Sequence, residues 1–119
     1  MSMPENVKTS SDFPIPATQK AWVLGDPGEL SMTEKPVPSP SRAEVLVRID
    51  AIAVCGTDLE IIYKGPPALI EGGQPFNKNF TPGHEYMGTV VALGPGVDEY
   101  AIGDRVTVEI HAGCGQCKR

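Results

Sequence analysis

Gly83-His84-Glu85-Tyr86-Met87-Gly88-Thr89-Val90-Val91-Ala92-Leu93-Gly94-Pro95-Gly96 is the stretch on which the fold turns. Tyr86 to Leu93 reads as a strong strand and Gly94-Pro95-Gly96 as the turn that ends it. Toward the C-terminus, Arg105 to Ile110 reads as a further strand. Toward the N-terminus, Ala68 to Thr81 is a long excursion rich in Gly, Pro and Asn. Before it, Val45, Val47, Ile49, Ala51 and Ala53 alternate with Leu46, Arg48, Asp50, Ile52 and Val54. Apolar residues occupy much of both sets, so Glu44 to Val54 is expected to be a strand buried on both faces for part of its length. Cys55-Gly56-Thr57-Asp58 breaks that strand. Thr57 or Asp58 is expected to cap a short helix through Leu59, Ile61 and Ile62 that stops near Gly65-Pro66-Pro67. Pro36-Val37-Pro38-Ser39-Pro40 cannot donate a normal ladder and is expected to be an extended loop. Lys20 to Leu24 reads as a strand ended by Gly25-Asp26-Pro27-Gly28, with Leu30 to Glu34 pairing back on it. There is no internal repeat. Strands, turns and little helix predict a mainly β fold with short helices, built as a small, partly open β-barrel.

The composition agrees with one such domain. The chain has 119 residues, 40% of them hydrophobic and 21% charged, the balance of a soluble globular protein. Gly 13 and Pro 12 recur as punctuation between strands. A net charge of -5, with the basic residues scattered, argues against nucleic acid or an anionic membrane as the main partner. No apolar run approaches the roughly 20 residues that cross a bilayer. Met1 to Thr18 is polar, contains Pro4, Pro14 and Pro16, and lacks the apolar region of a secretory signal. Residues 1–18 are therefore expected to be a disordered extension, and residues 19–119 the domain. Cys55, Cys114 and Cys117 in a chain without a signal suggest a reducing, cytoplasmic setting, where metal binding or free thiols are favoured over disulfides.

Two stretches carry chemistry: Cys55-Gly56-Thr57-Asp58 and Gly83-His84-Glu85. Thiolate and imidazole are borderline-soft ligands suited to zinc, and a catalytic zinc takes protein ligands while leaving one position open. A neighbouring carboxylate, Asp58 or Glu85, suits the second imidazole N–H and fixes its tautomer. Residue chemistry alone leaves the alternative open: a cysteine at a strand end is often a small core residue, and one histidine a hydrogen-bonded core or loop residue.

The arrangement resembles the zinc-dependent medium-chain alcohol dehydrogenase family. Gly83-His84-Glu85-Tyr86-Met87-Gly88, five further residues, Gly94, two residues and Val97 match that family's zinc signature at every fixed position. Cys55-Gly56-Thr57-Asp58 is similar to its first catalytic-zinc segment, and Gly103-Asp104-Arg105-Val106 to its strand-opening turn. The resemblance runs from about Lys20 to Arg119 and implies the family's GroES-like N-terminal catalytic domain. By that resemblance Cys55 and His84 are zinc ligands, Glu85 lies beside the metal, and Asp58 stands behind His84. Thr57 supplies the hydroxyl of a proton relay to the substrate alcohol. Zinc acts as a Lewis acid on that alcohol, and a hydride passes to a nicotinamide, NAD or NADP. The substrate class implied is a small alcohol or polyol. Many relatives have a histidine five residues after the first zinc cysteine; here Glu60 stands there, either continuing the relay or lying on the helix's wet face.

Cys114-Gly115-Gln116-Cys117 is half of a tetrahedral Cys₄ zinc knuckle. In the family a lobe holds structural zinc through four cysteines, the first two at this spacing, so the resemblance implies an incomplete structural site. A redox pair or two free thiols are the other readings, and His111 is expected to be a loop residue. Gly94-Pro95-Gly96 lacks the third glycine of a dinucleotide-binding turn, and no room remains for a βαβ unit. The chain is thus expected to be truncated before its cofactor-binding half and the third catalytic ligand, and to be inactive alone. The alternative is a stand-alone, non-catalytic GroES-like module that binds metal or a partner. A true co-chaperonin has no need of Cys-Gly-Thr-Asp or Gly-His-Glu, and zinc-free quinone reductases lack these residues.

Overall fold

The computed structural model describes residues 3–65 and 80–109. Its strands are β1 (Lys8–Thr9), β2 (Thr18–Leu24), β3 (Leu30–Pro36), β4 (Val45–Ala53), β5 (Glu85–Leu93) and β6 (Arg105–Thr107), with one helix, α1 (Gly56–Lys64), among the described residues. The mainly β class is as expected. Among the described residues the barrel is not closed: β1, β5, β4 and β6 form one antiparallel sheet and β2–β3 another, and an isolated bridge pairs Leu24 at the end of β2 with Phe80.

β5 is the centre of the larger sheet because it is paired along both edges. β4 runs along one edge, while β6 and then β1 share the other. Gly88 through Leu93 are consequently buried, and Val90 and Ala92 are fully inaccessible. Gly88 allows this closeness, since a Cβ there would collide with the Arg48 carbonyl on β4.

β4 departs from its expected burial. It is half-buried only over Val45–Val47 and exposed from Arg48 to Ala53. The reason is position: among the described residues only β5 pairs with it, so it is an edge strand. The register shifts twice: at Leu46/Val47 the extra residue is Val91 on β5, and at Ile49/Ala51 it is Asp50 on β4, which bends that strand as bulges do. The second leaves Asp50 outside the ladder, where its carboxylate accepts from the Thr89 hydroxyl at 2.6 Å and from Arg48 Nε at 2.9 Å. These bonds, Thr89's first, hold the Asp50 pKa below its ordinary value.

The segment 1–18, expected to be disordered, is anchored where it is described. Lys8 and Thr9 pair with Leu93 and Ala92 at the part of the β5 edge that β6 leaves open, and Val7 is buried. Phe13 lies under Gly103 and beneath the Arg48 guanidinium, 5.9 Å from the ring centre. Polar composition hid this, because open backbone groups on a sheet edge recruit a strand whatever its side chains.

The hairpin β2–β3 forms as expected, extending to Pro36 opposite Thr18. The helix starts earlier than expected. Its N-cap is Cys55, in extended backbone, rather than Thr57 or Asp58. Asp58 occupies the third helical position, from which a carboxylate reaches back to the N-cap N–H. Gly65 ends the helix at φ 86, its N–H bonded to the Ile61 carbonyl. β6 ends at Thr107, short of Val108 and Glu109 in the expected strand, and Ile110 lies outside the described residues.

Candidate metal centre

Cys55 follows β4 by two residues and caps α1, while His84 immediately precedes β5 and Glu85 opens it, and the β4–β5 register sets Ala53 opposite Glu85. Antiparallel pairing therefore brings the end of one strand to the start of the other. One ligand atom each from Cys55, His84 and Glu85 lies within 4.8 Å of the others. Cys55 and His84 are half-buried and Glu85 is exposed.

Asp58 ties this group together. It is 4% exposed, and one oxygen lies 3.1 Å from His84 Nδ1 while the other accepts the Cys55 backbone N–H at 2.9 Å. Engagement of Nδ1 leaves Nε2 as the ring nitrogen for a ligand. The same carboxylate thus orients an imidazole and starts the helix that carries the cysteine. Sequence reading placed Asp58 behind His84 but missed its hold on Cys55. The signal was there: cysteine and aspartate three apart have the spacing of a capping box.

Gly83 sits at φ 114, where side-chain-bearing residues are strained, and an added Cβ would lie 2.5 Å from Ile52 Cδ1. Ile52 in turn lines an open cleft of about 550 Å³ together with Ala51, His84, Glu85, Met87 and Val108. Thr57 and Glu60 are both exposed on α1. Cys114, Cys117 and His111 lie outside the described residues.

The donor set fits zinc: a thiol, an imidazole with its second nitrogen held by a carboxylate, and an oxygen ligand. The geometry and the fold together define a mainly β domain that carries a candidate metal-ligand cluster where the start of α1 meets the start of β5. Comparison with known proteins agrees. Residues 41–119 match the alcohol dehydrogenase GroES-like domain, and the chain belongs to that family. Its relatives are zinc-type medium-chain alcohol dehydrogenases. It is 36% identical to sorbitol dehydrogenase of Bacillus subtilis over 104 residues, 87% of this chain and 28% of that protein. Among solved structures, the cobalt- and zinc-bound thermostable alcohol dehydrogenase of Pyrobaculum aerophilum superposes with a TM-score of 0.73 at 29% identity, covering 85% of this chain and 29% of that one. Acetophenone reductase of Geotrichum candidum in complex with NAD gives 0.69 at 33% identity, covering 88% of this chain and 29% of that one. The chain spans less than a third of the length of each.

Proposed function

We propose that this chain is the zinc-binding catalytic-domain portion of an NAD(P)-dependent alcohol or polyol dehydrogenase. The observation that carries this is the convergence of Cys55, His84 and Glu85 within 4.8 Å, with Asp58 bonded to His84 Nδ1. In this reading Cys55 and His84 ligate the metal through Sγ and Nε2, and Glu85 supplies or approaches a third position. Zinc bound there supplies Lewis acidity toward an alcohol oxygen. Asp58 holds the imidazole in the tautomer that frees Nε2. The Thr57 hydroxyl, exposed two residues after Cys55, takes the alcohol proton outward. Glu60 is also exposed, which favours the wet-face reading over a role in the relay. The cleft beside Ile52 receives the apolar part of the substrate.

Relatives that bind zinc or cobalt, and NAD, support the two cofactors. We propose that these 119 residues by themselves do not oxidise alcohols; reduction of NAD⁺ or NADP⁺ by the purified chain with an alcohol would overturn this. Cys114 and Cys117 are proposed as part of a second, structural zinc site on their spacing alone. Metal analysis of the purified chain tests the scheme. In a Cys114→Ala/Cys117→Ala background, zinc that is kept, and then lost on adding His84→Ala, supports it; zinc that survives His84→Ala in that background sinks the catalytic site.

A further inference from the structure

The β2–β3 hairpin is a sheet of its own, yet it holds the segment that delivers His84. The Leu24 N–H donates to the Phe80 carbonyl at 2.8 Å, at a residue with no exposed surface. Lys35 Nζ, on β3, donates to Thr81 Oγ1 at 3.0 Å. Only Pro82 and Gly83 separate Thr81 from His84. Pro82 has its φ fixed by its ring, and Gly83 stands at φ 114 beside Ile52, so the link is two residues long. On the other side of His84, Glu85 enters β5 opposite Ala53. The imidazole is therefore slung between two sheets, hairpin upstream and β5 downstream.

We propose that the β2–β3 hairpin is the positioning element for His84, with Lys35 acting through Thr81, so that metal binding and hairpin docking are linked. The proposal rests on the reading of Cys55, His84 and Glu85 as zinc ligands. A link of two residues passes displacement of Thr81 on to the imidazole, so the docked hairpin is the arrangement in which His84 meets Cys55. Coupling of this kind is reciprocal: whatever docking adds to zinc affinity, zinc adds to docking. Lys35 and Thr81 touch neither metal nor substrate and are positioning residues. Removing a positive charge favours a bound cation, so a loss of affinity in Lys35→Met reports position and not charge.

Zinc affinity of the full 119-residue chain, measured by chelator competition, and hydrogen exchange at the Leu24 amide test the idea. Lys35→Met and Thr81→Val are each expected to weaken zinc binding about threefold to tenfold, the range of one ordinary hydrogen bond. The double variant should be no worse than either single one, and Lys35→Arg should restore affinity. Thr18→Ala removes a hydrogen bond to Glu34 on the same hairpin that does not involve Thr81, and should leave affinity unchanged. In the unaltered chain, zinc should slow exchange of the Leu24 amide, a readout that needs no variant to fold. Unchanged affinity in both Lys35→Met and Thr81→Val, or Leu24 exchange indifferent to zinc, overturns the proposal. If His84→Ala binds zinc as the unaltered chain does, the ligand assignment fails first; if it abolishes binding while Lys35→Met and Thr81→Val do not weaken it, only the positioning role fails.

Discussion

Asp58 accepts from two directions, and both matter to the same atoms. With its carboxylate gone, His84 is free to turn and the N-cap N–H of Cys55 loses its partner. Asp58→Asn keeps the size while removing the charge and one acceptor. It is expected to lower zinc affinity about 10–100-fold, the usual cost of losing a partner of a metal-bound histidine. Competition with a chromophoric chelator measures this, and an affinity unchanged within error would mean that Asp58 serves only the helix. Gly83 acts at the same scale by a different means. Its lack of a side chain lets Ile52 fit beneath the turn that presents His84.

Among the elements, β4 and β5 do most to build the site, since their antiparallel register joins the cysteine to the histidine. The bulge at Asp50 fastens the middle of this pair through Thr89 and Arg48. Asp50 has a folded-state pKa below its ordinary 3.8. A depressed carboxylate pKa contributes stability that is fully present above 3.8 and is lost as pH falls through the lower folded value. Asp50→Asn should therefore flatten the acid limb of a plot of urea midpoint against pH. The difference from the unaltered chain should vanish once both are below that value. A difference that stays constant across the acid range would contradict the assignment.

Much of this was legible beforehand. β5, the β2–β3 hairpin and the α1 segment follow from local pattern, whereas Cys55, His84 and Glu85 were singled out as ligands by the resemblance of their motifs to the family's zinc signature. What escaped was long-range. The weak β1 strand exists because β6 stops short on the β5 edge, and β4 is exposed because of its place in the sheet order. Neither fact resides in the residues concerned. Thr57 and Asp58 look like good caps by residue type; Cys55 takes the position because Asp58 reaches back to it.

For the whole molecule, the proposed ligands come from the N-cap of α1 and the segment entering β5, so a bound metal clips regions far apart in sequence. A ligand that binds only the folded state stabilises it by mass action, about 2.7 kcal/mol when present at a hundred times its dissociation constant. Saturating zinc should thus raise the thermal midpoint of the chain, and a chelator should return it to that of the metal-free protein. His84→Ala should show no rise. A rise of equal size in His84→Ala would place the stabilising metal elsewhere.

The outer rim of β4 has a colloidal consequence. Ile49 and Ile52, 50% and 55% exposed, stand on a strand whose far edge has no pairing partner among the described residues. Such a rim is a template for edge-to-edge growth between molecules. Arg48 and Asp50 interrupt it, and a second copy docking there would have to strip water from both charges. The bulge that fastens Asp50 to Thr89 thereby also guards solubility, keeping a hydrated ion pair where a flat strand would invite a neighbour.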